Sequence, residues 1–109
     1  MIKGIGTDIE EVGRFKRVDD YFLRSVFTKR EIDYCKKKKN IYECYAGKFC
    51  AKESIIKAYK KKITMRDIEI LKDDSEKIRV FIRGKLLKKV FCSISHNANL
   101  AIAFVIIEI

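Results

Sequence analysis

One hundred and nine residues, 12.8 kDa, can enclose one hydrophobic core and leave too little chain for a second. With 48% apolar and 37% charged residues the chain is not intrinsically disordered, and its longest apolar run, Leu100 to Ile107, falls far short of the roughly twenty residues a spanning helix needs. Twenty-five Lys and Arg against fifteen Asp and Glu give a net charge of +10, which points to an anionic partner: nucleic acid, nucleotide, acidic protein or anionic membrane.

A chain this short hides only about two thirds of the surface its unfolded state exposes, so self-association would add stabilising burial. Cys35, Cys44, Cys50 and Cys92 include no C-x-x-C pair to hold zinc or run dithiol chemistry. With no signal-peptide pattern after Met1, they read as reduced thiols of a soluble intracellular protein. The expected compartment is the cytoplasm, or an organelle stroma if a targeting extension has been removed.

Ile2 to Ile9 alternates around Gly4 and Gly6 and predicts a strand whose glycines admit another backbone or a ligand, with Asp8 near its end. Val12, Phe15, Val18, Phe22 and Val26 predict short helical pieces with Arg14, Lys16, Arg17 and Arg24 on the wet side. Thr28-Lys29-Arg30-Glu31 is a capping box opening a helix that runs into the lysines 36–39 and stops at Asn40, the lysines forming its solvated end. From Ile41 to about Lys62, the residues Tyr42, Tyr45, Ala46, Phe49, Cys50, Ile56 and Tyr59 recur at three and four and predict one central helix. Asp67 to Leu71 and Lys77 to Ile82 predict a hairpin across the acidic turn Asp73 to Glu76, and Gly84 to Lys89 a helical turn. Val90 to Ser95 and Leu100 to Ile107 predict two more strands, joined by His96-Asn97-Ala98-Asn99. The expected class is α+β: a small, mainly antiparallel sheet packed on a long central helix, in a single domain over residues 1–109.

Asp8, beside glycines at a strand end, either caps a turn or holds a cation. Glu53 and Lys57 are four apart with the acid first, on a helix already displaying Lys48, Lys60 and Lys61, and in isolation they read as a surface ion pair. If the first strand packs on the central helix, Asp8 and Glu53 instead offer hard oxygen ligands for magnesium, which completes its shell with phosphate oxygens and water. Lys57 and Lys48 would then neutralise the remaining phosphate charge, a constellation suited to phosphoryl transfer. His96, the only histidine, follows Ser93-Ile94-Ser95 at a strand end and serves equally as a structural or a functional residue. One histidine and no paired cysteines leave a zinc hydrolase short of ligands, and no Gly-x-Ser-x-Gly elbow supports a serine triad.

Three separated motifs resemble one family in order and spacing. Gly4-Ile5-Gly6-Thr7-Asp8-Ile9 with Arg14 following, Phe49-Cys50-Ala51-Lys52-Glu53-Ser54 with Lys57, and Ser93-Ile94-Ser95-His96 followed by Ala101-Ile102-Ala103 are together similar to the holo-[acyl-carrier-protein] synthases, the short 4'-phosphopantetheinyl transferases. The resemblance implies that family's fold and Mg2+-dependent transfer of the 4'-phosphopantetheine arm from coenzyme A to a serine of apo acyl carrier protein, releasing adenosine 3',5'-bisphosphate. It also implies a role in fatty acid biosynthesis and a homotrimer with each active site between two protomers. By position, Asp8 and Glu53 would bind the metal, and Lys48, Lys52, Lys57 and His96 would contact coenzyme A. Glu53 and Lys57 would be catalytic, Glu53 taking the serine proton directly or through water. Arg14, Arg17 and Arg24 would meet the acidic carrier protein. Two features depart from the family pattern: no Gly-Lys-Pro turn precedes the second hairpin strand, where this chain has Glu76-Lys77-Ile78, and Asp19-Asp20 stand where basic docking residues are common.

A small nucleic-acid-binding domain is the chief rival, since basic surfaces with aromatics track phosphates and stack bases. Tyr42, Tyr45, Phe49 and Tyr59 recur at helical spacing, a pattern of core residues, and neither an RRM signature nor a zinc-finger spacing is present. The expected partners are therefore coenzyme A and the carrier protein, with no nucleic acid and no membrane. A catalytically silent module that binds an acidic partner would tolerate loss of Glu53.

Overall fold

Two glycines decide how the first strand meets the longest helix. In the computed structural model, which describes residues 1–109, strand β1 (Ile2–Glu11) passes against helix α3 (Ile41–Ala58). A β-carbon on Gly6 would lie 1.9 Å from the Ser54 carbonyl oxygen, and one on Gly4 equally close to that of Ala58, so the backbones touch only because both residues lack side chains.

β1 pairs antiparallel with β6 (Leu100–Glu108), which pairs antiparallel with β5 (Val90–His96), giving the order β1-β6-β5. The period-two pattern of β6 sets the layers: Ala101, Ala103, Val105 and Ile107 are buried beneath α3, while Leu100, Ile102 and Phe104 face outward. The small alanines let the helix ride close over the middle strand. A second antiparallel sheet orders β2 (Ile68–Lys72), β3 (Ile78–Ile82) and the short β4 (Lys85–Leu86). Ile68, Ile70, Val80 and Ile82 bury its inner face in the same core.

A 3-10 turn over Val12–Lys16 and helix α1 (Asp20–Val26) follow β1, and Asp19, one of the two acids that break the basic pattern, caps α1 by accepting from the Phe22 amide at 2.9 Å. Phe15, Phe22 and Phe49 close this corner, with the Phe15 and Phe49 ring centroids 5.5 Å apart edge to face. The capping box at Thr28 opens α2 (Lys29–Lys36) as expected.

Several boundaries differ from the sequence expectation. Helix α2 stops at Lys36, and the remaining lysines 37–39 form the loop to α3; Asn40 is not a stop but the N-cap of α3, accepting from the Glu43 amide at 3.1 Å. α3 ends at Ala58, because like charges at Lys60, Lys61 and Lys62 gain nothing from helical stacking. The segment after Gly84 forms strand β4 rather than a helical turn: Arg83 and Gly84 adopt positive φ and reverse the chain in a two-residue hairpin. The largest correction concerns the thiols. The folded-back lysine loop brings Cys35 and Cys44 to a Cα separation of 5.5 Å and they form a disulfide; Cys50 and Cys92 remain free. No helix is long and apolar enough to cross a membrane.

Candidate active site

Gly4, Gly6, Asp8 and Glu10 share the inner face of β1. Since Gly4 and Gly6 meet Ala58 and Ser54, Asp8 falls one helical turn further along, beside Cys50. Its side chain is only 14% exposed, and Oδ2 is fully buried with no hydrogen-bond partner. Oδ1 lies 3.6 Å from Lys57 Nζ, which also donates to the Thr7 carbonyl at 2.9 Å. Lys57 thus turns toward β1 and not toward Glu53, so the surface ion pair read from their spacing does not form. Glu53, half-buried, sits one turn before Lys57 and three residues after Cys50, on the same edge of α3. The condition set by the sequence, first strand against central helix with Asp8 on the contact face, is met.

A buried carboxylate oxygen without a donor is costly in a finished core. It fits a hard divalent cation, with Lys57 balancing further negative charge. No three His, Cys, Asp or Glu side chains form a closed cage, so a cation held by Asp8 and Glu53 would draw its other ligands from phosphate and water, as magnesium does.

Glu10, which sequence reasoning missed, stands beside Asp8 and accepts from Arg14 Nη1 at 2.7 Å. Burial pushes its carboxyl above the ordinary range, against the pull of Arg14 and aided by the Asp8 charge. Alternation on β1 was the available signal: Asp8 and Glu10 are two apart. Burial also raises the Cys50 thiol to about 12, again aided by Asp8. Arg14 lies across the phenylalanine corner, 4.9 Å from the Phe49 centroid. Arg17, closing the 3-10 turn, and Arg24, in the last turn of α1, are both exposed.

The remaining predicted residues lie on the other side of α3. Asp8, Ala103 and Ile94 form one row across the sheet, and Glu10, Ala101 and His96 the next, so the helix on the alanines stands between the Asp8 group and His96. On the His96 side opens a cavity of about 360 Å³ lined by Tyr34, Lys38, Lys39, Glu43, Lys48 and His96, among others. Gly47 leaves room for β5 here: a β-carbon would sit 3.0 Å from Ile94 Cγ2 and 3.9 Å from the His96 ring. His96 Nδ1 is 2.6 Å from Glu43 Oε1, which fixes the ring and leaves Nε2 as its free edge. Glu43 was also missed; its place one turn before Gly47 was the only hint.

Lys48 does reach this cavity, but it is buried, contrary to its assignment to the exposed helix face. Its Nζ donates to the Ile70 carbonyl and lies 4.6 Å from the Tyr34 centroid, and burial lowers its pKa to about 8. Lys52 is not available to coenzyme A at all. It is completely buried, 2.6 Å from Glu31 Oε1, and donates to the carbonyls of Val26 at 2.7 Å and Met65 at 3.2 Å. Glu31 completes the hub by accepting from the amides of Thr28 at 2.9 Å and Ile70 at 2.6 Å. Lys52 therefore joins α2, α3 and β2 through Glu31, which the sequence marked only as the capping-box glutamate.

The fold is that of a phosphopantetheine-transferring enzyme: the chain belongs to the 4'-phosphopantetheinyl transferase superfamily, whose family model matches residues 4–105. Among its relatives, the holo-[acyl-carrier-protein] synthase of Halothermothrix orenii is 42% identical, with 99% of this chain and 98% of that protein covered. That of Thermodesulfovibrio yellowstonii is 41% identical, with 98% and 99% covered. The structure also superimposes on the Bacillus anthracis holo-(acyl-carrier-protein) synthase in complex with CoA (3',5'-ADP). There the TM-score is 0.83 at 34% identity, over 97% of this chain and 96% of that one. The Neisseria meningitidis synthase gives a TM-score of 0.84 at 28% identity over 99% of both chains.

Proposed function

We propose that the protein transfers the 4'-phosphopantetheine arm of coenzyme A to a serine hydroxyl of apo acyl carrier protein, with Mg2+ held by Asp8 and Glu53 and adenosine 3',5'-bisphosphate as the leaving product. The observation that carries this reading is the buried, unpartnered Asp8 Oδ2 beside Lys57 on the face shared with Glu53. The serine oxygen forms a bond to the β-phosphorus of coenzyme A, and the bond from that phosphorus to the bridging oxygen breaks, its electron pair leaving with the bisphosphate. When bound, the cation would neutralise the diphosphate and hold it in line. Lys57 offsets charge on the phosphate oxygens, and Glu53 accepts the serine proton. Lys48 and His96 face the nucleotide, and Arg14, Arg17 and Arg24 receive the acidic carrier protein.

The site is completed between protomers of a trimer. Within one chain α3 separates the Asp8 group from the His96 cavity, whereas a neighbouring copy can set its cavity against the Asp8 edge. Ile5, Ile9, Phe91, Ile102 and Phe104, exposed on the outer face of the β1-β6-β5 sheet, supply apolar surface for that assembly.

Incubation with coenzyme A, Mg2+ and apo acyl carrier protein, followed by mass spectrometry of the carrier, tests this directly. The expected gain is about 340 Da, abolished by chelator and by D8A, as metal-dependent phosphoryl transfer requires. An unmodified carrier, tried with several competent carrier proteins, would overturn the reading; complex formation without modification would mark a binding module instead.

A further inference from the structure

The Cys35–Cys44 bond and the basic cavity share residues. Cys35 is completely buried in the last turn of α2, and Cys44, in the first turn of α3, lines the cavity beside Lys48 and His96. The loop closed by the bond contains Lys38, Lys39 and Asn40, which line the same cavity. Lys38 lies over the Tyr34 ring at 4.6 Å, so the loop is folded onto α2 and not extended into solvent. Residues 36–40 are exposed, and the loop is otherwise tied only at its ends, by the turn bonds from Lys37 to the Tyr34 carbonyl and Lys38 to the Cys35 carbonyl and by Asn40, which accepts from the Glu43 and Cys44 amides.

We infer that Cys35 and Cys44 form a reversible thiol–disulfide clamp that sets the position of the lysine loop, and through it the affinity of the cavity for the nucleotide end of coenzyme A. The inference rests on the reading of the cavity as the nucleotide site. Closed, the bond holds Lys38 and Lys39 at the cavity wall before a ligand arrives, so less ordering accompanies binding. Open, four consecutive like charges, Lys36 to Lys39, repel one another and the loop samples wider conformations. The reductant is a pair of thiols, free or in a dithiol protein. One thiolate attacks Cys44 Sγ, the sulfur on the cavity side, and the Cys35–Cys44 bond breaks with Cys35 leaving as thiolate and taking a proton. The second thiolate then attacks the first external sulfur of the mixed disulfide; that sulfur's bond to Cys44 breaks, Cys44 leaves as thiolate and takes a proton, and the products are two protein thiols and one external disulfide.

The test is calorimetric titration of the full chain with adenosine 3',5'-bisphosphate, which carries no thiol to exchange with the clamp. Four samples are compared: air-oxidised protein, protein reduced with a phosphine, the oxidised C92S variant, and C35A/C44A. Oxidation is verified by a loss of about 2 Da and by two fewer alkylated thiols than in the reduced chain. Oxidised wild type and C92S should bind on the order of tenfold more tightly than the reduced protein. C35A/C44A should match the reduced protein and not respond to the reductant. Failure of the two cysteines to pair under mild oxidation, or equal affinity in both redox states, would overturn the clamp alone. No binding in any sample would overturn the nucleotide reading of the cavity and the clamp with it. If C35A/C44A does not fold, the reduced and oxidised wild-type samples still decide the matter.

Discussion

Lys48 and Lys52 stand one turn apart on α3, and their environments show how a residue role is settled by what surrounds an ammonium. Lys52, completely buried, meets a carboxylate and two carbonyls. Replacing it by Met leaves Glu31 buried without its counter-charge, so K52M should lose about 3–5 kcal/mol in urea unfolding, with E31Q/K52M recovering part of that. Unchanged stability with a raised KM for coenzyme A would instead restore Lys52 as a substrate ligand. Lys48 has no carboxylate bonded to it, and burial holds its folded-state pKa at about 8, below the ordinary 10.5 of a lysine. Below pH 8 the proton is held in both states and the burial cost is fully present. Between the two pKa values the unfolded chain binds more protons, so folding stability gains as pH rises through that window. The stability of wild type relative to K48M should therefore increase from pH 7 to pH 10, read by paired denaturant curves; a constant difference would contradict the assignment.

At the scale of elements, the glycine-bearing strand and the helix it meets are the joint on which the site depends. Gly6→Ala would drive a β-carbon into the Ser54 carbonyl, with backbone on both sides and no flexible side chain to yield. The expected loss is at least about 3 kcal/mol, or failure to fold; a G6A protein melting near wild type would show that β1 and α3 are not in backbone contact. This joint was legible because glycines at i and i+2 in a strand announce a close approach. Four strands expected at 67–71, 77–82, 90–95 and 100–107 were legible as β-rich runs bounded by turn residues and lie at 68–72, 78–82, 90–96 and 100–108; α2 was legible from its cap and α3 from its periodicity. Helix ends were less so: Asn40 stops one helix about as well as it starts another, and only the tertiary fold shows which. The same limit hid the burial of Lys48 and Lys52, since long side chains carry a polar head into a core when carbonyls or a carboxylate wait there. It also hid the disulfide, because cysteines nine residues apart meet only after the loop folds back.

For the molecule as a whole, the apolar outer sheet face and the net charge of +10 make separate demands. The charge suits an acidic carrier, whose encounter rate should fall with salt. The sheet face suits a second and third copy. In the proposed trimer each site would borrow a neighbour's cavity, so I5E/F104E should give monomers in sedimentation and lose transfer activity together. An active monomer would contradict the shared site. Whatever the assembly, the proposed transfer requires Asp8 and Glu53 to act on one ion. Titration of Mn2+ into the protein in the presence of coenzyme A, followed by electron paramagnetic resonance, measures this most directly. One tight site per protomer is predicted, weakened at least about tenfold in D8N and in E53Q; equal affinity in wild type and both variants would contradict it.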